Sequence, residues 1–190
     1  RNLKTVGAKM STAGIVAPES FSGGVQLFHW VSGGAMMGCV ATVLTCQQIK
    51  DKKWKGKLMW AHKSCGTFAA MLIAPRLIMR FVSKSPAHLP GSAIEKYAAD
   101  AAHWALYGLA IFLPVSGVAM GYFGGKGLPF FFTTIPGASK ADGSIAKPAY
   151  QYHKLAGQAL EYMIPLHVGA ALFHAARGHK IFSRILPIAK

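Results

Sequence analysis

Residues 152–176 read YHKLAGQALEYMIPLHVGAALFHAA, an apolar run that carries His153 near its start and His167 fourteen residues later. In a helix that spacing is about 21 Å of rise and falls about 40° short of four full turns. Both imidazoles therefore share one face at different depths. The run has the roughly 20 residues that cross a hydrocarbon core of about 30 Å, so each leaflet receives one histidine.

Three more apolar runs precede it, at residues 25–46, 58–79 and 98–122. Hydrophobic residues make up 52% of the chain, while Asp and Glu together number only 6 in 190. A soluble bundle would show polar stripes and many more carboxylates. The expected fold is an all-α membrane protein, a four-transmembrane-helix up-down bundle enclosing two haem b groups, with helices at about 24–47, 58–81, 98–122 and 150–176. Residues 1–22 read as a basic N-terminal extension, 23–187 as the four-helix domain and 177–190 as a basic C-terminal tail. An even number of crossings puts both termini and the loop between the second and third runs on one face, side A. Side B carries the lysine-rich loop at 50–57 and the long segment at 123–151. Lys and Arg occur on both sides in similar numbers, so the positive-inside rule does not orient the bundle.

Depth sorts the histidines. His29 and His103 start the first and third helices on side A, the level of His167, whereas His62 starts the second on side B, the level of His153. A single histidine in a membrane helix more often bonds a neighbouring helix. Five at matching depths point to ligation, because ionisable groups in lipid are costly and mark pathways or sites. Haem b is held by axial histidines without covalent attachment, and the chain has no Cys-x-x-Cys-His motif of c-type attachment. The expected pairs are His29 with His167 and His62 with His153, with His103 as the alternative partner of His167.

The residues also resemble a known family, the four-helix, di-haem b, bacterial-type cytochromes b561. The resemblance rests on Phe28-His29-Trp30, His62-Lys63-Ser64-Cys65-Gly66, Leu113-Pro114-Val115-Ser116-Gly117 and the FFTTIPGAS segment at 131–139. It continues through His153 with Leu155-Ala156 and His167 with Ala170, Ala171, Leu172 and His174, covering the chain from Gln26 to Pro187. It implies the same four iron ligands, with His103 serving a propionate or a quinone.

Around these ligands, Lys63 and Lys154 directly follow the side-B histidines and are read as haem-binding cations or as guides for an anionic substrate; snorkelling is the plainer reading. Arg76 lies fourteen residues after His62, at the depth of the side-A haem. A permanently charged guanidinium there wants a carboxylate, and a propionate is the expected partner. Gly33, Gly34, Gly38, Gly66, Gly117 and Gly157 would let a flat macrocycle approach the backbone, or simply let helices pack. Glu161 falls at mid-membrane, off the face of the two helix-4 histidines, with no role assigned. Cys39, Cys46 and Cys65 have no metal-ligand spacing and read as small apolar residues. Phe130, Phe131 and Phe132 suit an interfacial position. His174 is expected at the membrane edge and His88 in solvent.

The chain begins at Arg1, and residues 1–18 are basic without an acidic residue, which reads as the end of a cleaved precursor. A mitochondrial inner membrane is the expected address, with a bacterial cytoplasmic membrane as alternative. The net charge of +15 suits anionic lipid, and because it flanks membrane spans it does not suit nucleic acid. The expected function is transmembrane electron transfer by an electron-carrier cytochrome, linked to ubiquinone or ubiquinol. The alternatives are a superoxide:quinone oxidoreductase, a haem-bearing accessory subunit of a respiratory complex, and the cytochrome b subunit of a hydrogenase or formate dehydrogenase.

Overall fold

A computed structural model describes residues 19–187, so the termini expected as basic segments lie partly outside it. Helix α1 runs Gly23–Gln48, α2 Lys52–Val82, α3 Ala93–Phe123 and α4 Gly143–Ala176; a short α5, Ile181–Ile185, follows. Each long helix begins on a side-chain cap that satisfies a free backbone N–H. Ser22 accepts from Val25 N, Asp51 from Trp54 N and Asp142 from Ser144 N. Ser92 and Glu95 close a reciprocal capping box on α3.

Two expected segments differ from the structure. Asp51 caps a helix that starts at Lys52, so Lys52, Lys53, Lys55 and Lys57 of the expected side-B loop ride on the first turns of α2, while Lys50 precedes the cap. The long segment after α3 holds a hairpin, with β1 Leu128–Phe130 antiparallel to β2 Thr133–Ile135, and α4 already begins at Gly143. Two short strands fell below the apolar pattern that located the helices.

The hairpin is held against α2. Its turn residue Phe131 has a φ of 51°, a left-handed conformation that a bulky side chain rarely adopts. Both of its backbone groups find partners on α2, since Phe131 N donates to Ser64 Oγ at 2.9 Å and Phe131 O accepts from Trp60 Nε1 at 2.8 Å. Ser64 is only 1% exposed.

Helices α1 and α2 pack along each other, as do α3 and α4, and the two hairpins meet mainly along α2 and α3. The α1–α2 contact uses small residues. A Cβ added at Gly38 would stand 3.1 Å from Cys65 Sγ, so glycine sets how near the helices come. The buried apolar core among the described residues is Ala35, Ala69, Leu113 and Leu160. Large apolar side chains such as Leu27, Met37, Met71, Ile78, Val115 and Leu166 point outward. In water this distribution would be costly; in lipid it is the solvated face. Helices α1, α2 and α3 are each long and apolar enough to cross a membrane. The protein is an all-α integral membrane protein of several crossings. Helix α4 has the length, 34 residues, but Lys154, Gln158, Glu161 and three histidines interrupt its apolar run.

Candidate functional site

On side B, His62 and His153 face each other from α2 and α4 with ring centres 6.2 Å apart. Each is oriented through Nδ1. His62 Nδ1 bonds Cys39 O of α1 at 3.0 Å, and His153 Nδ1 bonds Leu113 O of α3 at 3.0 Å. A carbonyl only accepts, so both Nδ1 atoms carry the proton and both Nε2 atoms keep a lone pair. Ser116 Oγ, whose own hydroxyl reaches Phe112 O and Leu113 O, lies 3.0 Å from His153 Nδ1 and accepts a second share of that proton. A Cβ at Gly117 would come within 3.4 Å of the His153 ring. The segment from Leu113 to Gly117 thus forms the seat of His153, which explains why leucine carbonyl, serine and glycine occur there together.

On side A, His167 of α4 meets two histidines. The His29 ring of α1 is 6.3 Å away and the His103 ring of α3 is 5.8 Å away, centre to centre. His29 is half-buried, whereas His103 is exposed. Beside them Arg76 of α2, also half-buried, donates from Nη1 to Ser32 Oγ, and Ser32 is only 5% exposed. Arg80, one turn on, donates to Tyr107 Oη at 2.9 Å.

The space around these rings suits a large flat ligand. Among the described residues neither α1 nor α2 packs closely along α4, so the histidine pairs face each other across clefts between the two helical hairpins. Gly33 and Gly157 lie one turn below His29 and His153, and a Cβ added at either would meet nothing within 4 Å. Two imidazoles that share one metal atom, with bonds of about 2 Å, have ring centres about 6 Å apart. The donors, their free Nε2 atoms on side B and the open clefts therefore fit bis-histidine haem b. Among the described residues no cluster of three or more His, Cys, Asp or Glu offers a competing metal site.

The remaining expected residues fall into place unevenly. Lys63 is half-buried beside His62, and Lys154 is exposed. Glu161 is half-buried on α4. His88 is exposed and faces Asp100 at 3.8 Å. The three cysteines are unbridged, and Cys39 Sγ donates to His62 O at 3.5 Å. Sequence reading missed the roles of Ser32, Ser116 and the Cys39 carbonyl. Ser116 carried a signal, a serine in a run already quoted for its pattern, but a backbone carbonyl carries none.

Paired histidines in clefts of a membrane helix bundle define a cytochrome b, a membrane electron-transfer protein. The chain belongs to the prokaryotic cytochrome b561 family, whose model matches residues 20–187. It is 32% identical over 114 residues to the "Probable superoxide oxidase CybB" of Yersinia pestis, covering 60% of this chain and 65% of that protein. It is 31% identical over 116 residues to "Cytochrome b561 homolog 2" of Escherichia coli (strain K12), covering 60% of this chain and 62% of that one. These matches span less than two thirds of the length of either relative.

Proposed function

We propose that this protein is a di-haem b cytochrome that crosses a bacterial cytoplasmic membrane four times and carries electrons between its faces, exchanging them with ubiquinone or ubiquinol. The observation that carries the reading is the pairing of His153 and His167 of α4, fourteen residues apart, with histidines of the opposite helical hairpin. The mitochondrial address rested on residues 1–18, outside the described residues; a prokaryotic family and two bacterial relatives support the bacterial membrane instead.

His62 and His153 would hold the side-B haem, and His29 and His167 the side-A haem. His29 is preferred to His103 on two grounds. It is the more buried, and the residue one turn below it is a glycine facing open space. The residue one turn below His103 is Tyr107, already engaged by Arg80. His103 then stands beside the His167 ring as a donor to a propionate or a quinone. Arg76, without an acidic partner among the described salt bridges, would face a side-A propionate and be steadied by Ser32. Bound haem b supplies one-electron redox chemistry. The chain's own residues would hold the His62 and His153 imidazoles in fixed tautomers and neutralise propionate charge.

A second reading, superoxide oxidation coupled to quinone reduction, is favoured by the name of the Yersinia relative and by the lysines of the first α2 turns with Lys63 and Lys154, which would draw in an anion. A pyridine haemochrome assay on detergent-solubilised protein tests the main proposal. Two haems b per chain are expected, with His62→Ala and His153→Ala losing one and His29→Ala and His167→Ala losing the other. No haem in the wild type sinks the proposal, and retention of both haems in His29→Ala with loss in His103→Ala reverses the side-A pairing. Superoxide-dependent haem reduction that falls when Lys63 and Lys154 are neutralised would support the second reading.

A further inference from the structure

At the end of α4, His174 in the last turn and His179 just past it face each other with Nδ1 atoms 3.3 Å apart, ring centres 5.4 Å apart and planes 19° from parallel. The backbone imposes this arrangement. Gly178, at φ 82°, ends the helix, its N–H bonds Ala175 O at 2.9 Å, and His179 N returns to His174 O at 3.1 Å. Glycine is the residue that takes up this left-handed turn readily. Both imidazoles are half-buried, so water and small ions reach them.

We propose that His174 and His179 form a binding site for a divalent transition-metal ion of the copper or zinc kind, separate from the paired histidines inside the bundle. Two imidazole nitrogens on a tetrahedral ion, each bonded at about 2.0 Å, lie about 3.3 Å apart, which is the separation observed. Neutral imidazole is a preferred ligand for both metals, and Cu2+ binds such nitrogen sites more tightly than Zn2+. Among the described residues no third protein ligand stands at the pair, so water would fill the other positions. The bound ion would tie the end of α4 to the turn leading into α5. That short helix is itself docked on α1, where Arg184 O accepts from Phe21 N at 3.0 Å and from Gln26 Nε2 at 3.2 Å, and Ile185 O accepts from Trp30 Nε1 at 2.9 Å. The ion would thereby fasten α5 beside His29.

The test titrates Cu2+ into haem-loaded, detergent-solubilised protein that carries no polyhistidine tag. The expected result is one Cu2+ per chain whose electron paramagnetic resonance spectrum shows two equatorial nitrogens. His174→Gln and His179→Gln should each weaken binding about tenfold or more, and His88→Ala should leave it unchanged. Unaltered binding in both glutamine variants, or loss in His88→Ala, assigns the metal elsewhere and overturns the proposal. A wild-type chain that binds no Cu2+ overturns it as well and leaves the two rings as a pair sharing a proton. Haem content is measured in every variant; should His174→Gln fold poorly, His179→Gln, which lies outside the helices, decides alone.

Discussion

Cys39 and His62 clasp each other in both directions across the α1–α2 contact. His62 Nδ1 donates to Cys39 O at 3.0 Å, and Cys39 Sγ donates to His62 O at 3.5 Å. The first bond orients a candidate iron ligand, and its acceptor is a main-chain atom that any residue at position 39 would supply. The second is a weak thiol bond that adds to packing.

If the chain holds two haems as proposed, Cys39→Ala therefore keeps both. It costs no more than about 1 kcal/mol, the typical net value of one hydrogen bond, read from thermal denaturation followed at the Soret band. Loss of a haem in this variant would mean that the thiol, and not the carbonyl, positions His62.

Ser116 is expected to tune rather than to hold. In Ser116→Ala the Leu113 carbonyl still fixes the His153 tautomer, so haem content stays at the wild-type value. The ring loses one acceptor for its N–H, donates less electron density to iron and favours the ferric state less. The side-B midpoint potential rises by up to about 40 mV, the equivalent of about 1 kcal/mol for a one-electron couple. Redox potentiometry resolving two transitions checks this; an unmoved side-B transition removes Ser116 from the ligand's support.

Arg76→Leu works in the opposite sense on the other haem. Ferric haem carries one more positive charge than ferrous, so removing a nearby cation favours the oxidised form and lowers the side-A potential. A unit charge in such surroundings contributes about 1 to 2 kcal/mol, on the order of 40 to 90 mV. Arg76→Lys, which keeps the charge but not the planar fork, should recover most of the shift. A leucine variant with both transitions unchanged separates Arg76 from the haem.

At the start of α4, Ser144 donates from its hydroxyl and its backbone N–H to Asp142 Oδ1, at 2.6 and 2.9 Å, and these bonds hold the carboxyl below its usual pKa. The cap therefore contributes fully above the unfolded carboxyl value, about 3.9. Its contribution shrinks as pH falls through the lower folded value. Amide exchange at Ser144 should speed up on acidification relative to mid-helix amides, and Asp142→Asn should flatten that dependence.

Much of this site was legible without coordinates because depth in a membrane helix is nearly linear in residue number. Fourteen residues put His153 and His167 on one face at two levels, and the starts of the other runs put His62 at one level and His29 and His103 at the other. The same linearity could not choose between His29 and His103. They share a depth and differ only in lateral position, which depends on how four helices pack around one another.

The chain's order of apolar runs, its scarcity of carboxylates and its histidine spacing by themselves determined a membrane helix bundle with histidines at two levels. Tertiary structure alone decided which partners close the site. Cys39 O and Leu113 O reach the histidines through main-chain atoms, which no side-chain pattern encodes. His179 meets His174 only because Gly178 turns the chain back, and Phe131 keeps its left-handed turn only where Ser64 and Trp60 of a distant helix take up its backbone bonds. Position along a helix is a local property of the chain, whereas contact between helices is set by the packing of all of them together.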